Sequence, residues 1–189
     1  MEQLFDEVNL LHIFSDMSIC PVDEFNNKMK RLEQSKWYDL CKNMPKLRTY
    51  ITIKSQFLAE DYVKGYLTRQ QRSLLAQLRA GILPLRIETG RFYNIKDPQT
   101  NKYRKLKAGE RLCEVCKDGN IEDEYHFVCI CSVYRDIRET LYQKVMLNTS
   151  NFNDMNDLDK FSFLLNNEYK FLCEYLVEAW YKRKQLLYT

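Results

Sequence analysis

The chain has 189 residues, 45% hydrophobic and 13% aromatic, with a formal net charge of +3. That is enough apolar material to bury a real core in one good-sized domain or two small ones, and the scarcity of Gly and Pro argues against a turn-rich sheet protein. No apolar run approaches the length of a membrane span, and acid stands where a secretory leader carries cations (Met1-Glu-Gln-Leu-Phe-Asp-Glu), so an intracellular protein, nuclear or cytoplasmic, is expected.

The modest net charge conceals an uneven distribution. Residues 1–61 carry eight Lys/Arg against ten Asp/Glu, residues 62–112 twelve against three, and residues 113–189 nine against thirteen. The middle segment is therefore +9 between two mildly acidic flanks, the electrostatic footprint of a phosphate-binding surface or of a basic face paired to those flanks within the fold.

In chain order, Leu4, Phe5, Val8, Leu11 and Ile13-Phe14 recur at helical spacing, with His12 among them. Pro21 opens a second helix, whose stripe of Val22, Phe25, Met29 and Leu32 continues through Trp37, Leu40, Cys41 and Met44 until Pro45 stops it. Two short helices follow over 46–67, with Gly65 near the end of the second. Thr68 with Gln71 forms a capping box for a helix to Ala80. Leu74, Leu75 and Leu78 make its inner face, and Arg69, Arg72 and Arg79 share another face about 115° away, positioned for phosphate contact or as a solvated edge. Gly81 ends this helix. Phe92-Tyr93-Asn94-Ile95 reads as a short strand, and Asp97-Pro98 with Thr100-Asn101 as a turn. Lys102, Arg104, Lys105 and Lys107 then crowd around Tyr103, a basic loop suited to contact phosphate and stack on a base.

The most specific signal comes next. Cys113-x-x-Cys116 precedes His126, one of only two histidines, and Cys129 and Cys131 follow it. Two thiols from a CxxC turn, an imidazole and one further thiol form the closed donor set of structural zinc. On an unbroken helix, Cys129 lies about 60° from His126 and Cys131 about 140°, which favours Cys129. A turn after the helix admits Cys131 instead, and Ser132 looks like the N-cap of a helix over Val133–Val145 that would supply the break. Cys20, Cys41 and Cys173 have no matching spacing, as expected of free thiols in a reducing compartment. Helices over Leu158–Leu165 and Tyr169–Leu187 complete the chain, the last with Lys182-Arg183-Lys184 suiting its dipole.

No aspartate pair, glycine-rich phosphate loop or deaminase-type His-x-Glu is present, and Glu168-Tyr169-Lys170 lacks the upstream partner of a nuclease site. A closed four-donor zinc leaves no open coordination position, so no enzymatic activity is expected.

Residues 44–145 resemble the region beyond the polymerase core in reverse-transcriptase polyproteins of non-LTR (LINE-type) retrotransposons. The resemblance is carried by Met44-Pro-Lys-Leu-Arg-Thr-Tyr50, by Leu75-Ala-Gln-Leu-Arg-Ala-Gly-Ile-Leu-Pro-Leu85 continuing into Ile87-Glu-Thr-Gly-Arg91, and by Cys113-x-x-Cys116 with Asp123-Glu-Tyr-His-Phe127, Cys131, Tyr134 and Arg138. It implies that Cys131 is the fourth ligand, and that the module is zinc-knuckle-like, handling RNA or DNA beside a reverse transcriptase or the remainder of a polyprotein. Polymerase and endonuclease motifs are missing.

The expectation is thus a mostly α protein in three parts: N-terminal helices (1–45), a basic helical region with a short β-hairpin and a Cys-Cys-His-Cys zinc site (46–147), and C-terminal helices on the same core (148–189). Its expected function is nucleic-acid binding without sequence specificity, and the alternative is a zinc-stapled protein-interaction or scaffold domain.

Overall fold

A computed structural model describes residues 22–44, 47–54 and 56–188. The helix expected over 3–15, with His12, and the opening at Pro21 lie outside the described residues, as does Cys20. The protein is mostly α-helical, and a single two-stranded sheet is present among the described residues. It divides into two compact units, Met1–Pro45 with Lys54–Leu58, and Lys46–Ile53 with Ala59–Thr189.

The described part of the first unit is dominated by α1 (Val22–Lys42). Asp23 and Glu24 occupy its first turn and Lys42 its last, the arrangement that complements a helix dipole. Glu24 and Lys28 form an i,i+4 ion pair at 3.2 Å. Cys41 is buried, and the Trp37 ring packs on Phe57 with centroids 5.6 Å apart.

The second unit holds the remaining elements. Short helices α2 (Arg48–Ile53) and α3 (Asp61–Lys64) lead to α4 (Arg69–Arg79). The expected capping box closes α4: Gln71 N–H donates to Thr68 Oγ1 at 3.2 Å, and Thr68 N–H donates to Gln71 Oε1 at 3.0 Å. Such a cap contributes about 1 kcal/mol. Leu74, Leu75 and Leu78 are buried as their spacing requires. Gly81, at φ +68°, turns the chain out of the helix in the left-handed region where a side chain is disfavoured. α5 (Arg86–Thr89) and a tight turn at Gly90–Phe92 lead into the hairpin.

Strand β1 (Asn94–Lys96) pairs antiparallel with β2 (Tyr103–Lys105), Ile95 opposite Arg104. The strand therefore begins after Phe92 and Tyr93. Asp97 Oδ1 accepts from Gln99 N–H at 2.9 Å and Thr100 N–H at 3.0 Å, which fixes the loop, and Asn101 sits at φ +57°. Beyond the cysteine segment lie α6 (Arg135–Asn148), α7 (Asp157–Asn166) and α8 (Tyr169–Tyr188). α6 starts later than expected. Ser132–Tyr134 forms a 3₁₀ turn, and the Ser132 side chain makes no cap.

α8 packs against α4, α6 and α7. The shared core includes Leu75, Leu78, Phe127, Leu164, Leu172 and Leu176. Each such side chain contributes roughly 1.5–3 kcal/mol through burial. Phe127 is the hub. Its ring meets Tyr134, Tyr175 and Trp180 edge-on at 4.9, 6.1 and 6.3 Å. The C-terminal helices thus share one core with the basic region, and that core forms the floor beneath the cysteine cluster.

Candidate metal centre

The donors come from two structural pieces. The first is a loop closed by an isolated antiparallel bridge between Leu112 and Ile121. Within it, Cys113 N–H donates to the Asn120 carbonyl at 2.8 Å. Lys117 (φ +60°) and Gly119 (φ +77°) supply left-handed residues that reverse the chain after Cys116 and return it to the bridge at Ile121. The second piece is one π-helical turn, His126–Ile130, whose entry is fixed by His126 N–H donating to Asp123 Oδ1 at 2.7 Å.

The π turn decides which thiol joins the histidine. Cys131 N–H donates to the His126 carbonyl at 2.8 Å, an i→i+5 bond. This widened turn places residues five apart over one another, whereas an α-helix would hold them about 140° apart. The Sγ atoms of Cys113, Cys116 and Cys131 and a ring nitrogen of His126 all lie within 4.8 Å of one another. Cys116 Sγ is 3.5 Å from His126 Nε2. Zinc bonds of about 2.3 Å to sulfur and 2.0–2.1 Å to nitrogen require tetrahedral donors roughly 3.5–3.8 Å apart, so small side-chain adjustments suffice to close this set on one ion. Cys129 stands outside the group, buried, with Tyr142 as its hydrogen-bonding neighbour. Burial pushes its thiol up to about 12.

Three of the four donors are buried and Cys116 is half-buried. The neighbouring Cys131 thiol, and then burial, push Cys113 up to about 12, and burial raises Cys116. Such thiols remain protonated at neutral pH until a cation displaces their protons. The described cysteines are all free, including Cys41 and Cys173, so no disulfide competes for the donors.

A shell of buried ion pairs anchors the site, and sequence reasoning missed it. Glu122 Oε1 lies 3.6 Å from Cys113 Sγ, while Oε2 accepts from Arg183 at 2.8 Å and from Arg86 N–H at 2.7 Å. Arg183, expected at a helix end to complement the dipole, instead points inward and fastens α8 to the metal loop. Both carboxylate oxygens of Glu124 accept from the single Arg48 Nη2, at 2.6 and 2.8 Å, and Oε2 also accepts from Thr49 at 3.1 Å, fastening α2 to the segment that enters the π turn. Arg138 donates to the Cys131 carbonyl at 3.0 Å. Ser132 Oγ donates to Asp118 Oδ2 at 2.8 Å, tying the turn after the last thiol to the loop of the first pair. The only hint in the sequence is the acid run Glu122-Asp123-Glu124 directly before the histidine.

The arginine stripe of α4 does not form one surface. Arg79 is 2% exposed, donating to the Leu165 carbonyl at 2.5 Å, to Glu60 at 2.6 Å and to Asn166 at 3.3 Å, so it is an internal strut that no phosphate can reach. Arg72 donates to the carbonyls of Val63 at 2.7 Å and Gly65 at 3.0 Å, bracing the chain before α4. Arg69 is exposed.

The hairpin likewise separates its cations. Arg104 is clamped by Glu110 at 2.5 and 2.7 Å and by Asp97 at 3.2 Å, and its charge is spent within the fold. That guanidinium, with the Lys107 N–H, holds the Glu110 carboxyl down at about 2. Lys102, Tyr103, Lys105 and Lys107 are exposed, Tyr103 at 76%. No helix among the described residues is long and apolar enough to cross a membrane.

Compared with protein-family models, curated proteins and solved structures, the chain matches none.

Proposed function

We propose that the chain is a non-catalytic nucleic-acid-binding module, stapled by one structural zinc held by Cys113, Cys116, His126 and Cys131. The observation that carries this reading is the four-donor set itself, mostly buried and gathered within 4.8 Å. Three thiols and one imidazole form a soft, nitrogen-and-sulfur set that suits zinc, and four protein donors leave no position for a substrate.

The nucleic-acid half of the proposal is supported by the outward face of the hairpin. Strand alternation turns Ile95 and Arg104 inward and presents Asn94, Lys96, Tyr103 and Lys105 together, with Lys96 opposite Tyr103 and Asn94 opposite Lys105. The carboxylates of Asp97, beside β1, and Glu110, shortly after β2, are both engaged by Arg104. Cations beside an exposed aromatic ring suit a single strand, whose phosphates need charge and whose bases need a stacking partner. The resemblance to the region downstream of retrotransposon reverse transcriptases points the same way, toward RNA or target DNA handled beside a polymerase.

Anisotropy of a labelled single-stranded RNA and its DNA equivalent, titrated across salt concentrations, tests the proposal. Affinity is expected to fall steeply with salt, and Lys96→Glu with Lys105→Glu to weaken it about tenfold. Flat salt dependence, or binding untouched by both reversals, contradicts it and leaves the scaffold alternative, in which the same cations meet an acidic protein.

A further inference from the structure

We propose that a groove between α4 and α8 is a second contact for single-stranded nucleic acid, accepting one nucleotide with its base against Trp180 and its phosphate between Arg69 and Lys184. This rests on the proposed function and adds to it a site built from elements other than the hairpin ribbon.

The groove is an open surface depression of about 540 Å³. Leu74 and Trp180 give it apolar walls, Gln70 and Gln77 bring side-chain amides, and Arg69 and Lys184 are its charged residues. No carboxylate lines it. Arg69 and Lys184 form no ion pair among the described residues, in contrast to Arg79, Arg104 and Arg183, which are all consumed internally. Two cations lining one groove without a counter-charge repel each other, and an anion between them relieves that repulsion.

The place of Arg69 strengthens the inference. It is the first residue of α4, and no acidic residue occupies that first turn. Helix stability favours Asp or Glu there, because a cation opposes the positive end of the dipole. Arg69 therefore stands where it costs the helix a little and where an incoming phosphate gains from both the guanidinium and the dipole. Gln77 Nε2 donates to Ser73 Oγ at 3.0 Å, which orients its amide at the groove wall. Trp180 is partly exposed, with the edge of Phe127 behind it and Arg183 over its ring at 5.7 Å, so the indole is held in a fixed orientation. Charge at the rim suits a phosphate, and the indole wall with side-chain amides beside it suits a base.

The chain contains two tryptophans, so Trp37→Phe leaves Trp180 as the sole indole fluorophore. Oligouridylate is titrated into this variant while binding of the same labelled oligomer is followed by anisotropy. The expected result is quenching of Trp180 that saturates with the anisotropy signal. Arg69→Glu with Lys184→Glu, at unchanged melting temperature, should abolish the quenching and weaken binding about tenfold. Normal anisotropy binding with unchanged Trp180 emission overturns this inference alone, as does equal quenching by polyglutamate. Absence of any oligonucleotide binding overturns the proposed function, and the groove assignment falls with it. Should the double reversal lower the melting temperature, Arg69→Gln and Lys184→Gln are read in the same assay, and an affinity within twofold of the parent counts against the groove.

Discussion

The amide of Cys131 donates to the carbonyl of His126 across five residues at 2.8 Å, and this one bond determines which thiol shares a cluster with the imidazole. A regular α-turn would have directed Cys129 toward His126 and Cys131 away. The π turn reverses that choice and seats Cys129 in the core beside Tyr142. Cys131→Ala is accordingly expected to lose stoichiometric zinc, whereas Cys129→Ala retains it and costs about 1 kcal/mol as an ordinary core truncation. Metal content by mass spectrometry, alongside urea melts, checks both; zinc retained in Cys131→Ala and lost in Cys129→Ala contradicts the assignment.

Zinc uptake should release protons. Cys113, pushed up to about 12, and Cys116, also raised, lie above the thiol's ordinary value, so both are protonated at neutral pH before metal binds. Ligation needs thiolates, and at least two protons must leave. Apparent zinc affinity is therefore low in acid and rises with pH, by about a hundredfold per unit for two protons, until the free thiols themselves ionise. An indicator dye in weak buffer counts the protons released. A release near zero contradicts the protonated cluster.

Arg79 and Arg69 of α4 should separate by role. Arg79→Ala removes a guanidinium from the interior, taking away the donor to the Leu165 carbonyl and the buried ion pair with Glu60. A loss of about 3 kcal/mol is expected for Arg79→Ala, the usual result of breaking one side of a buried pair. Arg69→Ala, at an exposed position, should stay within about 0.5 kcal/mol. Urea denaturation of the two variants reads the difference, and equal effects contradict the division between strut and surface.

What the sequence made legible follows from which interactions are local. The Thr68–Gln71 capping box, the leucine face of α4, the turn at Asp97 and the CxxC turn are all short-range, and each occurs where its residues indicated. The fate of the arginines was not legible, because their partners are distant. Arg79 meets a carbonyl 86 positions away, and Arg183 meets Glu122 61 positions away. Composition counts such charges as surface, since a basic run read alone shows no carboxylate. Arg104 misled differently: its partners lie nearby, but only the strand pairing turns it inward toward Glu110. Helical periodicity assumes 3.6 residues per turn, so a single π turn is invisible to it, and the choice of thiol could not be read from spacing alone.

The central claim is that one divalent ion joins the loop of Cys113 and Cys116 to the π turn of His126 and Cys131. Native mass spectrometry of purified protein, paired with melting in the presence and absence of a strong chelator, tests it most directly. The account predicts one zinc per chain and a melting temperature lowered by about 10 °C or more once the metal is stripped. Protein that is isolated without metal, binds none on addition, and melts identically in chelator contradicts it.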